Sequence, residues 1–110
     1  MAVMSKIKVL NVAATADGAN TIITAVSGAK LRVYGYHLMG TAAGIARALD
    51  GTAVGAGTLS GFSFGANGDA RFQGNYPRGP WAFETGVGNA LVLSNATGQD
   101  ILGHVSYCEV

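Results

Sequence analysis

A chain of 110 residues with 17 glycines, one cysteine and a net charge of +1 holds one domain's worth of polypeptide. The lone Cys108 excludes an internal disulfide and a zinc site built from paired cysteines, and the near-neutral balance excludes the basic surface that nucleic acid demands. Charged residues make up only 12% of the chain, half the ~25% usual in globular proteins, while mean hydropathy is +0.32.

The start of the chain alternates. Lys6-Ile7-Lys8-Val9 puts two lysines on one face of a strand and two aliphatics on the other, with Met1–Ser5 read as a flexible arm in front of it. No apolar run follows, so the segment is not a signal peptide, and no stretch reaches the ~20 apolar residues of a membrane helix. The expectation is a soluble protein made in a cytoplasm. Asp17-Gly18 is a turn signal, and the β-branched run Thr21 to Val26 predicts a strand. Ser27-Gly28 turns the chain into Lys30–Leu38, the clearest period-two segment. There Leu31 and Val33 are expected on one face, with Lys30, Arg32, Tyr34 and Tyr36 on the other.

Residues 40–50 contain helix formers, but Gly40, Gly44 and Gly51 bracket a run too short to stand alone, so a strand is expected. Asp50-Gly51 turns, Thr58–Phe64 predicts a strand, Asn67-Gly68-Asp69 turns again, and Arg71–Gln73 continues as strand. Gly74–Pro80 holds both prolines and reads as an irregular loop leading to Trp81, Phe83 and Glu84. Ala90–Ser94 and Ile101–Val110 are the last two strands. Eight or nine strands at about ten-residue spacing predict an all-β sandwich or barrel in one domain, residues 1–110.

Chemical motifs are thin. Gly61-Phe62-Ser63-Phe64-Gly65 matches a nucleophile elbow, with Asp100 and His104 following in hydrolase order. The elbow needs a strand entering a helix, whereas a turn and another strand follow Ser63, so no catalytic residue is assigned and the chain is not expected to be an enzyme. Gly55–Gly61 has one residue too many for a dinucleotide loop. His37 and His104 would need Asp100 or Glu109 beside them to hold a metal, so no cofactor is expected either. The cluster Phe72, Tyr76, Pro77, Arg78, Pro80, Trp81 and Phe83 has the composition of a protein-binding hot spot, of a sugar-stacking platform, or of a plug at one end of a sandwich. Tyr76, Arg78 and Trp81, with Tyr34 and Tyr36 from the strand before, form the candidate interaction surface.

Two stretches carry a resemblance. TIITAVSGAKLRVYGYHLMG (Thr21–Gly40) pairs a strand and a Ser-Gly turn with a basic-aliphatic strand. PWAFETGVGNALVLSNATGQDILGHVSYCEV (Pro80–Val110) runs from Pro-Trp through a Thr-Gly turn to a final Gly-x-Val-x-Tyr strand at Gly103, Val105 and Tyr107. Together they resemble small structural proteins of tailed bacteriophage virions over nearly half the chain, with 41–79 less diagnostic. The resemblance implies a jelly-roll or TNF-like β-sandwich of about eight antiparallel strands that forms a homotrimer. It further implies a capsid decoration or cement role on the major capsid protein, or a head or tail attachment role, with no nucleic acid or membrane partner. A receptor- or glycan-binding module of a tail fibre is the alternative. A low-charge surface on so short a chain fits either role, because partner chains then supply the cover that polar side chains do not.

Overall fold

In the computed structural model, which describes residues 6–110, the chain is all-β: β1 (Lys8–Ala14), β2 (Gly18–Ile23), β3 (Leu31–Gly40), β4 (Gly44–Asp50), β5 (Thr58–Phe64), β6 (Asp69–Gln73), β7 (Phe83–Glu84), β8 (Leu91–Asn95) and β9 (Ile101–Glu109). The expected arm Met1–Ser5 lies outside the described residues. Among those described, no helix is long and apolar enough to cross a membrane.

The strands form two antiparallel sheets. One has the order β1-β9-β3-β6, with the short β7 also pairing on β3, and the other has the order β2-β8-β4-β5. Without β7 the pairing nests: first strand on last, second on next to last, and so inward to the β4–β5 hairpin. This is the order produced when one long antiparallel ribbon is folded over into the two facing sheets of a β-sandwich.

Period-two alternation decides what the sandwich buries. Val12 and Ala14 of β1, Leu31, Val33 and Leu38 of β3, and Ile101 and Val105 of β9 face Ile23, Ala46, Ala48, Phe62, Phe64, Leu91 and Leu93 of the second sheet. Ala46 pairs directly with Phe62, a small residue beside a large one, which is how two facing layers interdigitate without a void. Each large side chain so buried contributes about 1.5–3 kcal/mol. One end of the sandwich is closed by polar groups. Buried Gln99 donates to the carbonyls of Ala42 and Gly44 and accepts from the Ala96 amide, while buried Asn95 donates to the carbonyls of Ala14 and Gln99.

Strand β3 departs from the expected alternation. Its register against β9 shifts between Val33 and Gly35, so Tyr34 is an extra residue in a β-bulge. The phase of every later residue is thereby inverted. Tyr36 turns inward onto Phe62 and Phe83, while Tyr34 stays on the outer side, 2% exposed. Tyr34 and Tyr36 therefore do not share a face, because two-residue periodicity holds only along an unbroken ladder. A second surprise lies in β1. Val9 is outward and 68% exposed, and Ile7 just before β1 is exposed too, whereas Lys8 occupies the register of the inward-facing residues at the strand's frayed end.

Candidate functional site

The expected aromatic cluster divides between the two sides of the first sheet. Phe72 and Phe83 pack around Tyr36, which itself rests on the core. Trp81 and Tyr76 instead lie on the outer side against Tyr34, with ring centroids 6.3 and 5.4 Å from it in edge-on geometry. Tyr34 anchors the whole loop from Gly74 to Ala82. Its hydroxyl donates to the Pro77 carbonyl at 2.8 Å and its own carbonyl accepts from the Gly74 amide at 2.8 Å. The next strand residue inward, Val33, accepts from the Ala82 amide, so both ends of the loop are tied to adjacent residues of β3. The Tyr76–Pro77 and Gly79–Pro80 peptide bonds are both cis.

One member of this cluster escapes a sequence reading. The Arg32 guanidinium stacks over the Trp81 ring, 3.8 Å from its centroid, and is held there by a 2.8 Å ion pair with Glu84. Burial opposes its charge, but the hydrogen bonds it donates to the Tyr34 hydroxyl and the Glu84 carboxylate outweigh that and raise the guanidinium's pKa above its ordinary value. The i, i+2 spacing of Arg32 and Tyr34 on one strand face is the only signal that could have placed it. Of the five residues expected to form the interaction surface, Tyr34, Tyr76 and Trp81 come together, Arg78 stands exposed on the same loop, and Tyr36 does not join them. Tyr34 is also too deeply covered to touch a partner. The surface that remains is the half-exposed Tyr76 and Trp81 with Arg78.

Beside Arg32, across the β3–β9 ladder, lies Cys108, wholly buried on the same side. Burial pushes the Cys108 thiol up. A thiol-specific reagent is expected to leave it untouched at about pH 8 in the native state and to label one site per chain in denaturant. Native labelling as fast as in denaturant would mean that this side of the sheet opens freely.

The hydrolase-like residues are separated by the fold. Ser63 faces outward from β5 in the second sheet, between the two core phenylalanines, while His104 faces outward from β9 in the first. His37 and His104, in contrast, are brought together. They are direct partners across β3 and β9, with ring centroids 6.0 Å apart. Neither Asp100 nor Glu109 joins them: among the described residues no three ligating side chains gather for a metal ion, and the carboxylate beside His37 is Asp69.

A different surface lies at the end of the sandwich where the connections 24–30, 51–57 and 85–90 meet. Thr24, Ala25, Thr52, Ala53, Gly88 and Asn89 border a depression of about 480 Å³ there. Residues 51–57 and 85–90 contain no charged residue, and the three charges beside them are engaged. Asp50 accepts from the Gly86 amide and the Asn89 side chain, and Lys30 pairs with Glu84. Val54 projects from its loop fully exposed and Val87 is 59% exposed. Composition signalled the shortage of charge, but only the fold shows that these three connections, in which Lys30 is the single charged residue, converge.

No family model, curated protein or solved structure matches this chain.

Proposed function

We propose that this protein is a virion structural protein of a tailed bacteriophage, a capsid decoration or cement protein that binds the outer shell as a homotrimer. The observation that carries the reading is the charge-poor loop end, where Val54 and Val87 stand exposed while Asp50 is held by the Gly86 amide and Lys30 is paired with Glu84. An isolated small domain gains nothing from apolar side chains held out in this way. A lattice-bound one uses them as contacts, each weak, that symmetry multiplies into firm attachment. The other half of the proposal, packing against sister copies, draws on the β1 edge, where Ile7, Val9 and Leu102 are exposed on one flank of the first sheet. An edge strand with apolar outward residues is the kind of surface that a closed ring of subunits covers.

Light scattering tests the ring: three copies of the 11.1 kDa chain give a species of about 33 kDa, and a monodisperse 11.1 kDa species overturns the trimer. Shell binding is tested by the double variant Val54→Asp, Val87→Asp on shells assembled without the protein. Each subunit then carries two charges into a contact that must exclude water, so retention is expected to fall by tenfold or more, on the order of 1.4 kcal/mol, with the solution mass unchanged. Undiminished retention removes the loop end from the proposal. The rival reading, glycan recognition by Tyr76, Arg78 and Trp81, draws on their exposure, but Arg32 already occupies one face of the Trp81 ring that a sugar would need. Binding on a glycan array that Trp81→Ala abolishes would favour it.

A further inference from the structure

The outer side of the first sheet carries a second, polar feature. In one cross-strand row stand Arg71 of β6, His37 of β3 and His104 of β9. In the next row stand Gln73, Gly35 and Ser106. Gly35 has no side chain to fill the space between its two neighbours, and the result is a depression of about 420 Å³ lined by His37, Arg71, Gln73, His104 and Ser106. That volume falls within the range of small-molecule sites. Each of these five side chains can donate a hydrogen bond: a guanidinium, an amide, a hydroxyl and two imidazoles.

Charge in the depression depends on the histidines. Arg71 pairs with Asp69 at 3.1 Å, and Asp69 also meets His37 Nε2 at 3.1 Å. With both imidazoles neutral, the cluster balances one cation against one anion. With both protonated it holds a surplus of two positive charges, because among the described residues no other carboxylate stands in these rows: Asn11 of β1 is the residue opposite His104. Asp69 lies one row beyond the histidines on the side away from Gln73 and Ser106, opposite Met39, so it borders the cluster without lining the depression. A negative group seated between Arg71, His104, Gln73 and Ser106 would meet donors without meeting that carboxylate.

We infer that this depression is an acid-activated binding site for a small ligand bearing an oxyanion group, either a free inorganic oxyanion or the carboxylate of an acidic monosaccharide. The site lies on β3, β6 and β9, with Ser106 opposite Val9 of the β1 edge, but none of its lining residues belongs to that edge or to the loop end, so it does not depend on the function proposed above.

Sulfate and glucuronate are suitable probes because both keep their charge between about pH 5.5 and about pH 7.5, the span in which histidine side chains ordinarily change theirs. The full chain is titrated with each at both pH values and fixed ionic strength, following the backbone amide resonances of Gly35, Gln73 and Ser106. Binding is expected to be about tenfold tighter at the lower pH, consistent with two added charges at short range. Arg71→Ala and His104→Ala are each expected to weaken it about fivefold or more. Arg71 is 71% exposed and His104 is exposed, so both variants keep the fold, and His104→Gln, which keeps a donor but cannot titrate, reduces the pH dependence to the part that His37 supplies. Arg47→Ala, on the second sheet, is the control and leaves binding unchanged. Binding of both probes assigns the site to the oxyanion alone, and binding of glucuronate only adds the sugar ring to what is recognised. Binding of neither probe at the lower pH, equal binding at both pH values, or indifference to Arg71→Ala overturns the inference.

Discussion

Gly103→Ala is expected to cost more than about 4 kcal/mol, a large share of the roughly 5–15 kcal/mol that domains of this size have to lose. Gly103 sits at φ +146° in β9, a backbone conformation that residues with a Cβ rarely adopt. A Cβ placed there would lie 2.0 Å from the His37 carbonyl oxygen and 3.0 Å from the Leu38 Cα. Both are backbone atoms of β3, so no side chain can swing aside to make room. Relief requires β9 to move away from β3, and β9 is the strand that joins β1 to the rest of its sheet. Urea unfolding followed by far-ultraviolet circular dichroism measures the effect. A Gly103→Ala protein that unfolds cooperatively within about 1 kcal/mol of the parent would show that this approach of β9 to β3 is not needed.

Tyr34→Ala comes second, with an expected loss of about 3–5 kcal/mol, the cost of deleting a large buried ring whose site cannot collapse. The ring holds Tyr76 and Trp81, and its hydroxyl holds Pro77, so its removal releases the loop 74–82 as a unit. Trp81 is the chain's single tryptophan, which makes its fluorescence a direct report on that loop. Emission is expected to shift to the red in Tyr34→Ala at denaturant concentrations well below the unfolding midpoint. Tyr34→Phe keeps the ring and loses one hydrogen bond, so it should cost only about 1 kcal/mol and leave the emission in place. Equal effects of the two substitutions would mean that the hydroxyl, not the ring, holds the loop.

The strands themselves were legible because two-residue alternation and Gly, Asn and Asp turns are local signals. Thr58–Phe64 was expected as a strand and is β5 to the residue, and the ambiguous run 40–50 contains the strand β4. What failed was non-local. The bulge at Tyr34 is set by how β3 meets β9, seventy residues later in the chain by order of magnitude, and nothing in the run Leu31–Leu38 marks it apart from Gly35. Its cost to the site reading was specific: Tyr36 was grouped with Tyr34 on the outer face and lies inside. The Arg32–Trp81 stack and the His37–His104 pair were hidden for the same reason, since each joins residues that only the sheet register makes neighbours. Thr24–Val26, expected as the end of a strand, lie beyond β2 in the connection to β3, where β-branched composition yields to the need to cross between sheets.

The nested strand order also governs when the molecule can take shape during its synthesis. β9 emerges after every other strand, yet β1 and β3 both need it as their bridge. While the ribosome is still adding residues 101–109, β1 has no ladder partner, so no backbone pairing fixes the register of its outward Val9 and inward Leu10 and Val12. The β4–β5 hairpin is the one pairing near in sequence that can form early, so the ribbon closes from its middle toward its ends, and the last step joins strands that were made first and last.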